Sequence, residues 1–212
     1  LEVPTDALDI RDGTIYLKTG GQTTLSVAEI AHEAIYDYGT EGRHITAVGT
    51  HQGLTHCPNF QAGFAEIEVD TYTGVIRVLK YVVAHDIGRA INPLTVEGCL
   101  EGGACQGLGY ALSEDLIIDR DSGEVLTDSF ATYKMFSVLD MPDVEVILVE
   151  EPDPTGPFGA KGVGETGITN VAPAIANALY DAVGVRIHSL PMTAEKVLET
   201  LKARNIEDGK NT

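Results

Sequence analysis

The chain has 212 residues, with 32 acidic against 14 basic side chains and a formal charge of −18. That balance excludes nucleic acid and anionic membrane surfaces as partners, because phosphate recognition needs clustered Lys and Arg. A hydrophobic share of 43% is enough for a buried core, no apolar run is long enough for a membrane span, and no signal peptide is expected. The length suits one large domain or two small ones. Leu1 stands where a complete chain starts with Met, so a fragment or one piece of a split subunit is expected. Cys57, Cys99 and Cys105 form no CxxC pair. Such an odd, sparse set points to a reducing, cytoplasmic setting and offers neither a structural zinc nor an iron–sulfur framework.

In chain order, residues 1–24 read as short strands, with Arg11-Asp12-Gly13-Thr14 as a turn ahead of the alternating Ile15-Tyr16-Leu17-Lys18. A helix is predicted next. Val27, Ile30, Ala31, Ala34 and Ile35 have helical spacing, Ser26 and Glu29 have the form of a capping box, and Gly39 suits a stop. Ile45–Val48 reads as a strand. Residues 62–85 carry the strongest β pattern, a hairpin turning at Thr71-Tyr72-Thr73-Gly74. The spacing predicts a long helix over 93–115, opened by Pro93 and striped by Val96, Leu100, Ala104, Leu108 and Leu112. Strand signals follow at 116–119 and 143–150, separated by the turn Asp121-Ser122-Gly123. A Pro- and Gly-rich irregular loop over 151–167, helices over 171–183 and 193–203, and a disordered tail over 204–212 complete the chain. Strands and helices mix without a βαβ rhythm, so the expected fold class is α+β, with mixed sheets and packed helices.

Two segments sit badly with a purely structural role. Gly98, Gly102, Gly103, Gly107 and Gly109 interrupt the long helix, and each weakens it by about 1 kcal/mol relative to Ala. Glycines admit another backbone, or a flat ligand, close to a helix. Gln106 lies among them and suits either the polar edge of a heterocycle or the rim of tight helix packing. The second segment is Gly159-Ala160-Lys161-Gly162-Val163-Gly164-Glu165-Thr166-Gly167, which is neither a P-loop nor a dinucleotide fingerprint. It presents one carboxylate, Glu165, ahead of an apolar helix. Partial burial there makes a carboxylate a stronger base; a solvated loop glutamate is the other reading. His85-Asp86, at a strand end, reads as a catalytic dyad, as a metal site, or as a structural His beside a turn-capping Asp. His51, His56 and Cys57 have loose ligand-like spacing with no fourth ligand.

Several of these segments together resemble the molybdenum-binding subunits of the xanthine dehydrogenase/aldehyde oxidase family. They are Val83-Ala84-His85-Asp86-Ile87-Gly88-Arg89-Ala90-Ile91-Asn92-Pro93, the glycine-rich helix from Glu101 to Leu112, the loop from Asp153 to Glu165, and Val171-Ala172-Pro173-Ala174-Ile175-Ala176-Asn177-Ala178. The similarity covers roughly residues 60–203, and residues 1–59 suit the preceding part of the same C-terminal molybdopterin-binding domain, here expected to span 1–212 with 151–167 as its active-site loop.

The resemblance implies a molybdopterin cofactor, its cytosine dinucleotide form included, contacted by Gln106 and Gly164. Molybdenum is carried by the pterin dithiolene, so no protein metal ligand is expected. It also implies Glu165 as the catalytic base. In the family this glutamate takes the proton of a metal-bound hydroxyl, whose oxygen attacks an electron-poor carbon; hydride goes to a sulfido or selenido ligand, and electrons leave through the pterin to 2Fe-2S clusters and FAD. Purines, nicotinate-like heterocycles, aldehydes and aromatic thioesters all suit that chemistry. The implied partners are the remaining molybdenum-subunit segment, an iron–sulfur subunit, an FAD subunit and a small-molecule substrate.

Two departures alter the pattern: Cys99 stands where many relatives carry Gln, and Thr166-Gly167-Ile168 replaces a Pro-rich continuation. Two further readings compete. A non-catalytic assembly or scaffold domain of the same fold predicts Glu165 exposed and far from Gln106. A self-contained hydrolase using His85 and Asp86 needs a nucleophile within hydrogen-bond reach of His85.

Overall fold

A computed structural model describes residues 3–20, 24–36, 45–50 and 57–207. The chain comprises two compact units, Leu1–Gln52 and Gly53–Thr212.

In the first unit, β1 (Leu8–Arg11) and β2 (Thr14–Leu17) are joined by Asp12 and Gly13, with φ of 50° and 72°. A two-residue hairpin of type I′ needs two such left-handed residues, which Asp-Gly supplies. β3 (Leu25–Ser26) adds antiparallel to β2. α1 (Val27–Tyr36) begins at the predicted capping box: the Glu29 N–H donates to Ser26 Oγ at 3.0 Å, and the Ser26 N–H donates to Glu29 Oε2 at 2.8 Å. That backbone donor, with the Ser26 hydroxyl, holds the Glu29 carboxyl below its usual pKa. The predicted stop at Gly39 lies outside the described residues. Residues 45–50 have no regular structure, against the strand expected at Ile45–Val48. Ile45 and Val48 are exposed, and β-branched residues form a strand only where a partner and a face to bury them exist.

The second unit holds the hairpin of β4 (Gln61–Val69) and β5 (Ile76–Asp86), with β6 (Asp143–Val149) parallel to β5, in the order β4-β5-β6. At the turn, Asp70 Oδ1 accepts from the Tyr72 and Thr73 N–H groups. The hairpin carries a bulge. Glu66 pairs with Lys80 and Ile67 with Val78, so Leu79 is the extra residue. Alternation along β5 changes phase there. Ile76 and Val78 pack against the core before it, and Tyr81, Val83 and His85 are buried after it.

α2 (Pro93–Leu112), α4 (Val171–Val183) and α5 (Ala194–Glu207) contribute the helical part of this core. Asn92 caps α2, its side chain accepting the Thr95 N–H, and Pro93 takes the first turn. The predicted stripe is the buried one. Leu100, Ala104 and Leu108 are fully buried with Ile175 and Leu179 of α4 and Val197 of α5. α2 stops at Leu112, three residues before the predicted end, where Ser113 Oγ donates to Lys134 O at 2.7 Å. The strand expected at 116–119 is reduced to a single bridge, Ile118 to Val125, around the predicted turn. α5 runs on to Glu207, into the stretch expected as a tail, because Arg204 donates to the Val183 carbonyl and ties it to the end of α4. Residues 208–212 lie outside the described ones. No helix among the described residues is long and apolar enough to cross a membrane.

Candidate functional site

The end of β5 and the loop 151–167 are built against one another. Asp86 Oδ2 lies 2.6 Å from Lys161 Nζ, with side chains 12% and 8% exposed, and Asp86 Oδ1 accepts the Gly88 N–H at 3.1 Å. The Lys161 N–H donates to Ile87 O at 2.9 Å, and the Arg89 N–H donates to Gly159 O at 3.0 Å. Gly88 has φ of 65°, and a β-carbon there would stand 2.3 Å from the Gly159 carbonyl oxygen, so only glycine serves. Where the loop begins, Asp153 accepts from the Thr155 N–H and hydroxyl. Cys57 and Thr155 hold the Asp153 carboxyl down at about 2.

His85 points the other way from Asp86, into the core. It is fully buried, its Nε2 lies 2.5 Å from Thr166 Oγ1, and burial pushes its pKa down. Of the readings of this pair, the structure favours the structural one. Thr166 does supply a hydroxyl within reach of His85. However, the carboxylate needed to orient the ring is engaged with Lys161 and Gly88 on the opposite side of the strand. The self-contained hydrolase expectation is corrected on that ground: alternation separates adjacent strand residues, so neighbours in sequence make a poor dyad.

Asp86 and Asp153 both titrate below their usual range, the first chiefly because of Lys161 and the second chiefly because of Cys57. Folded chain therefore binds fewer acidic protons than unfolded chain. Their stabilisation is complete above the ordinary carboxylate value of 3.8 and is lost as pH falls towards about 2. Hydrogen exchange over 153–166, corrected for intrinsic rates, should show weaker protection at about pH 2.5 than at about pH 5. Equal protection at both would remove these carboxylates as anchors of the loop.

The loop's far end lies on α2. Cys99 Sγ is 3.8 Å from the carbonyl oxygens of both Val163 and Gly164. A β-carbon on Gly103 would stand 3.0 Å from the Gly167 carbonyl carbon, and one on Gly107 would stand 2.5 Å from Val171 Cγ2. Cys99, Gly103 and Gly107, four residues apart, thus form the side of α2 that receives 163–171. These two glycines serve close packing with the following chain.

Gly98 and Gly102 do not. Nothing lies within 4 Å of a β-carbon built on either, both are exposed, and exposed Gln106 continues their row. Consecutive residues of a helix project about 100° apart, so the open row of Gly98, Gly102 and Gln106 flanks the loop-facing row of Cys99, Gly103 and Gly107. Glu165 is the residue ahead of α3 (Thr166–Thr169). It and Gly164 are exposed, and a β-carbon on Gly164 would also meet nothing within 4 Å. The partial burial anticipated for Glu165 is therefore not found in this chain. Val163, Thr166 and buried Gly167 take the inner side of the loop, which leaves Glu165 on the outer one.

Sequence reasoning missed the Lys161–Asp86 pair and the role of Thr166. A lone cation in a glycine-rich loop was the available signal for the first. His51 and His56 lie outside the described residues. Among those described, no group of three or more His, Cys, Asp or Glu could hold a metal, and Cys57, Cys99 and Cys105 are free thiols.

Comparison with known proteins shows the family and the fold. Residues 1–142 match the family described as the molybdopterin cofactor-binding domain. The chain is 33% identical over 190 residues to the xanthine dehydrogenase molybdenum-binding subunit of Escherichia coli O157:H7, covering 90% of this chain and 25% of that protein. It is 34% identical over 213 residues to the 6-hydroxypseudooxynicotine dehydrogenase complex subunit gamma of Paenarthrobacter nicotinovorans, covering 97% and 26%. The crystal structure of quinoline 2-oxidoreductase from Pseudomonas putida 86 aligns with a TM-score of 0.80 and 28% identity, covering 95% of this chain and 26% of that one. The chain spans about a quarter of the length of these relatives. The α+β arrangement of mixed sheets and packed helices is shared with quinoline 2-oxidoreductase. By family match, sequence identity and fold, the chain belongs to the molybdopterin cofactor-binding family, among the molybdenum-binding subunits of the xanthine dehydrogenase/aldehyde oxidoreductase type.

Proposed function

We propose that this chain is the base-bearing portion of a molybdenum-dependent hydroxylase that inserts a water-derived oxygen at an electron-poor carbon of a heterocycle or an aldehyde. In this reading it works only with the remaining molybdenum-subunit segment and with iron–sulfur and FAD partners, in the reducing cytoplasm that its free thiols suit.

The observation that carries the reading is a pair of neighbouring rows on α2. Cys99, Gly103 and Gly107 seat the loop of Glu165, and the open row of Gly98, Gly102 and Gln106 runs beside it. That row fits a pterin. A flat heterocycle approaches a helix where no β-carbon stands, and the Gln106 amide offers two donors and an acceptor to its polar edge. Gly164, equally open, lets the cofactor reach the loop backbone. Molybdopterin, when bound, supplies the two-electron redox chemistry. Gln106 and Gly164 hold and orient it, and a Glu165 carboxylate oxygen accepts the proton released in the reaction. Glu165 is exposed in this chain, so the neighbouring segment must also exclude water from it, which strengthens the base.

The same exposure favours a second reading, a non-catalytic assembly domain of the same fold. Turnover of the assembled, molybdenum-loaded enzyme carrying Glu165→Gln separates the two. The partner requirement has its own test. Purified alone, this chain is expected to contain no molybdenum, since it offers one side of a pterin site and, among the described residues, no cluster of metal ligands. Stoichiometric molybdenum by elemental mass spectrometry would overturn that requirement.

A further inference from the structure

We infer that His85 is a positioning residue for Glu165, acting through the hydroxyl of Thr166. The inference rests on the reading of Glu165 as the base and adds the group that orients it.

The bulge at Leu79 turns His85 into the core, where it is fully buried. Its Nε2 lies 2.5 Å from Thr166 Oγ1, and Thr166 Oγ1 lies 3.4 Å from Val163 O. Only one assignment of protons uses both contacts. His85 Nε2–H donates to Thr166 Oγ1, and the Thr166 hydroxyl donates to the Val163 carbonyl. Nδ1 is then a bare acceptor, consistent with its having no hydrogen-bond partner.

The relay brackets Glu165. It grips the residue after the glutamate by its side chain and the residue two before it by its carbonyl. Glu165 needs such help. It precedes a helix of four residues, too short to hold itself, and it makes no capping bond with its own side chain. Its direction is therefore set by the backbone on either side, and His85 fixes that backbone from a rigid strand.

The test uses the assembled, molybdenum-loaded hydroxylase. Thr166→Val keeps the shape and removes the hydroxyl; Thr166→Ser keeps the hydroxyl. Thr166→Val is expected to lower kcat by about ten- to a hundredfold with KM and molybdenum content unchanged, the scale of a small misplacement of a catalytic group. Thr166→Ser is expected to stay within about threefold of the parent. Hydrogen exchange should quicken over 163–168 in the Val variant and not in the Ser variant. Placed on top of Glu165→Gln, Thr166→Val should have almost no further effect, because the group it positions is already gone.

Parent-like turnover in Thr166→Val, beside a collapse in Glu165→Gln, would overturn the positioning role alone. Parent-like turnover in Glu165→Gln would overturn the base itself. A second full loss from Thr166→Val in the Glu165→Gln background would reduce Thr166 to a structural residue and overturn the inference. If Thr166→Val fails to assemble, His85→Leu against His85→Gln gives the same comparison from the other end of the relay.

Discussion

In the assembled, molybdenum-loaded enzyme, Glu165→Gln is expected to lower turnover by about 10²- to 10⁴-fold while molybdenum content stays that of the parent. The substitution keeps the size and direction of the side chain and removes only its ability to accept a proton. Folding should tolerate it, because Glu165 is exposed and makes no capping bond, and such surface changes alter stability by no more than about 0.5 kcal/mol. The loss should fall on kcat. A base acts in the transition state, whereas Gln106 and the rest of the cofactor site are untouched. Steady-state kinetics with elemental analysis of the same preparation decides the matter. Turnover within about twofold of the parent, at full molybdenum content, would leave the assembly-domain reading standing and end the catalytic one.

The second large effect concerns α2. Gly103→Val should destabilise this chain by about 1–3 kcal/mol, read as a lower midpoint in urea unfolding. The atoms that a β-carbon would meet, 3.0 and 3.1 Å away, are backbone atoms of Gly167, so no flexible side chain can move aside. Relief requires α3 to shift, and Glu165 with it. In the assembly, therefore, turnover should fall along with stability. Gly102→Ala, one residue away, has the opposite sign. Its β-carbon enters open space, and alanine raises helix propensity by roughly 1 kcal/mol. If the open row is where the pterin lies, the same Gly102→Ala should lower the molybdenum content of the assembly despite stabilising the chain. Identical effects of the two substitutions would remove the distinction between packed and open glycines on which the site rests.

Legibility in the sequence followed the range of the interaction. The Asp12-Gly13 hairpin and the Ser26–Glu29 capping box were readable because each depends on two to four consecutive residues and their own backbone. The buried stripe of α2 was readable because 3.6 residues per turn bring residues four apart to nearly the same face, whatever the helix packs against. The short segments failed for the converse reason. Ile45–Val48 and 116–119 have strand composition, but composition without a partner strand does not make a sheet. The glycines of α2 fall between these cases. Their excess was visible, yet which of them pack and which stand open was not.

Taken alone, the sequence established the order and kind of most elements, the family resemblance, and the candidacy of Glu165, Gln106 and Gly164. Local propensity and residue spacing carry that information. Only the tertiary structure decided which way these groups face. One extra residue at Leu79 reverses the alternation of β5, sending His85 inward to Thr166 and leaving Asp86 to meet Lys161, 75 positions further on. Glu165 likewise emerges on the outer side of its loop because Gly103 and Gly107 admit its neighbours on the inner one. Register and close approach depend on segments far apart in the chain, and no window of consecutive residues contains them.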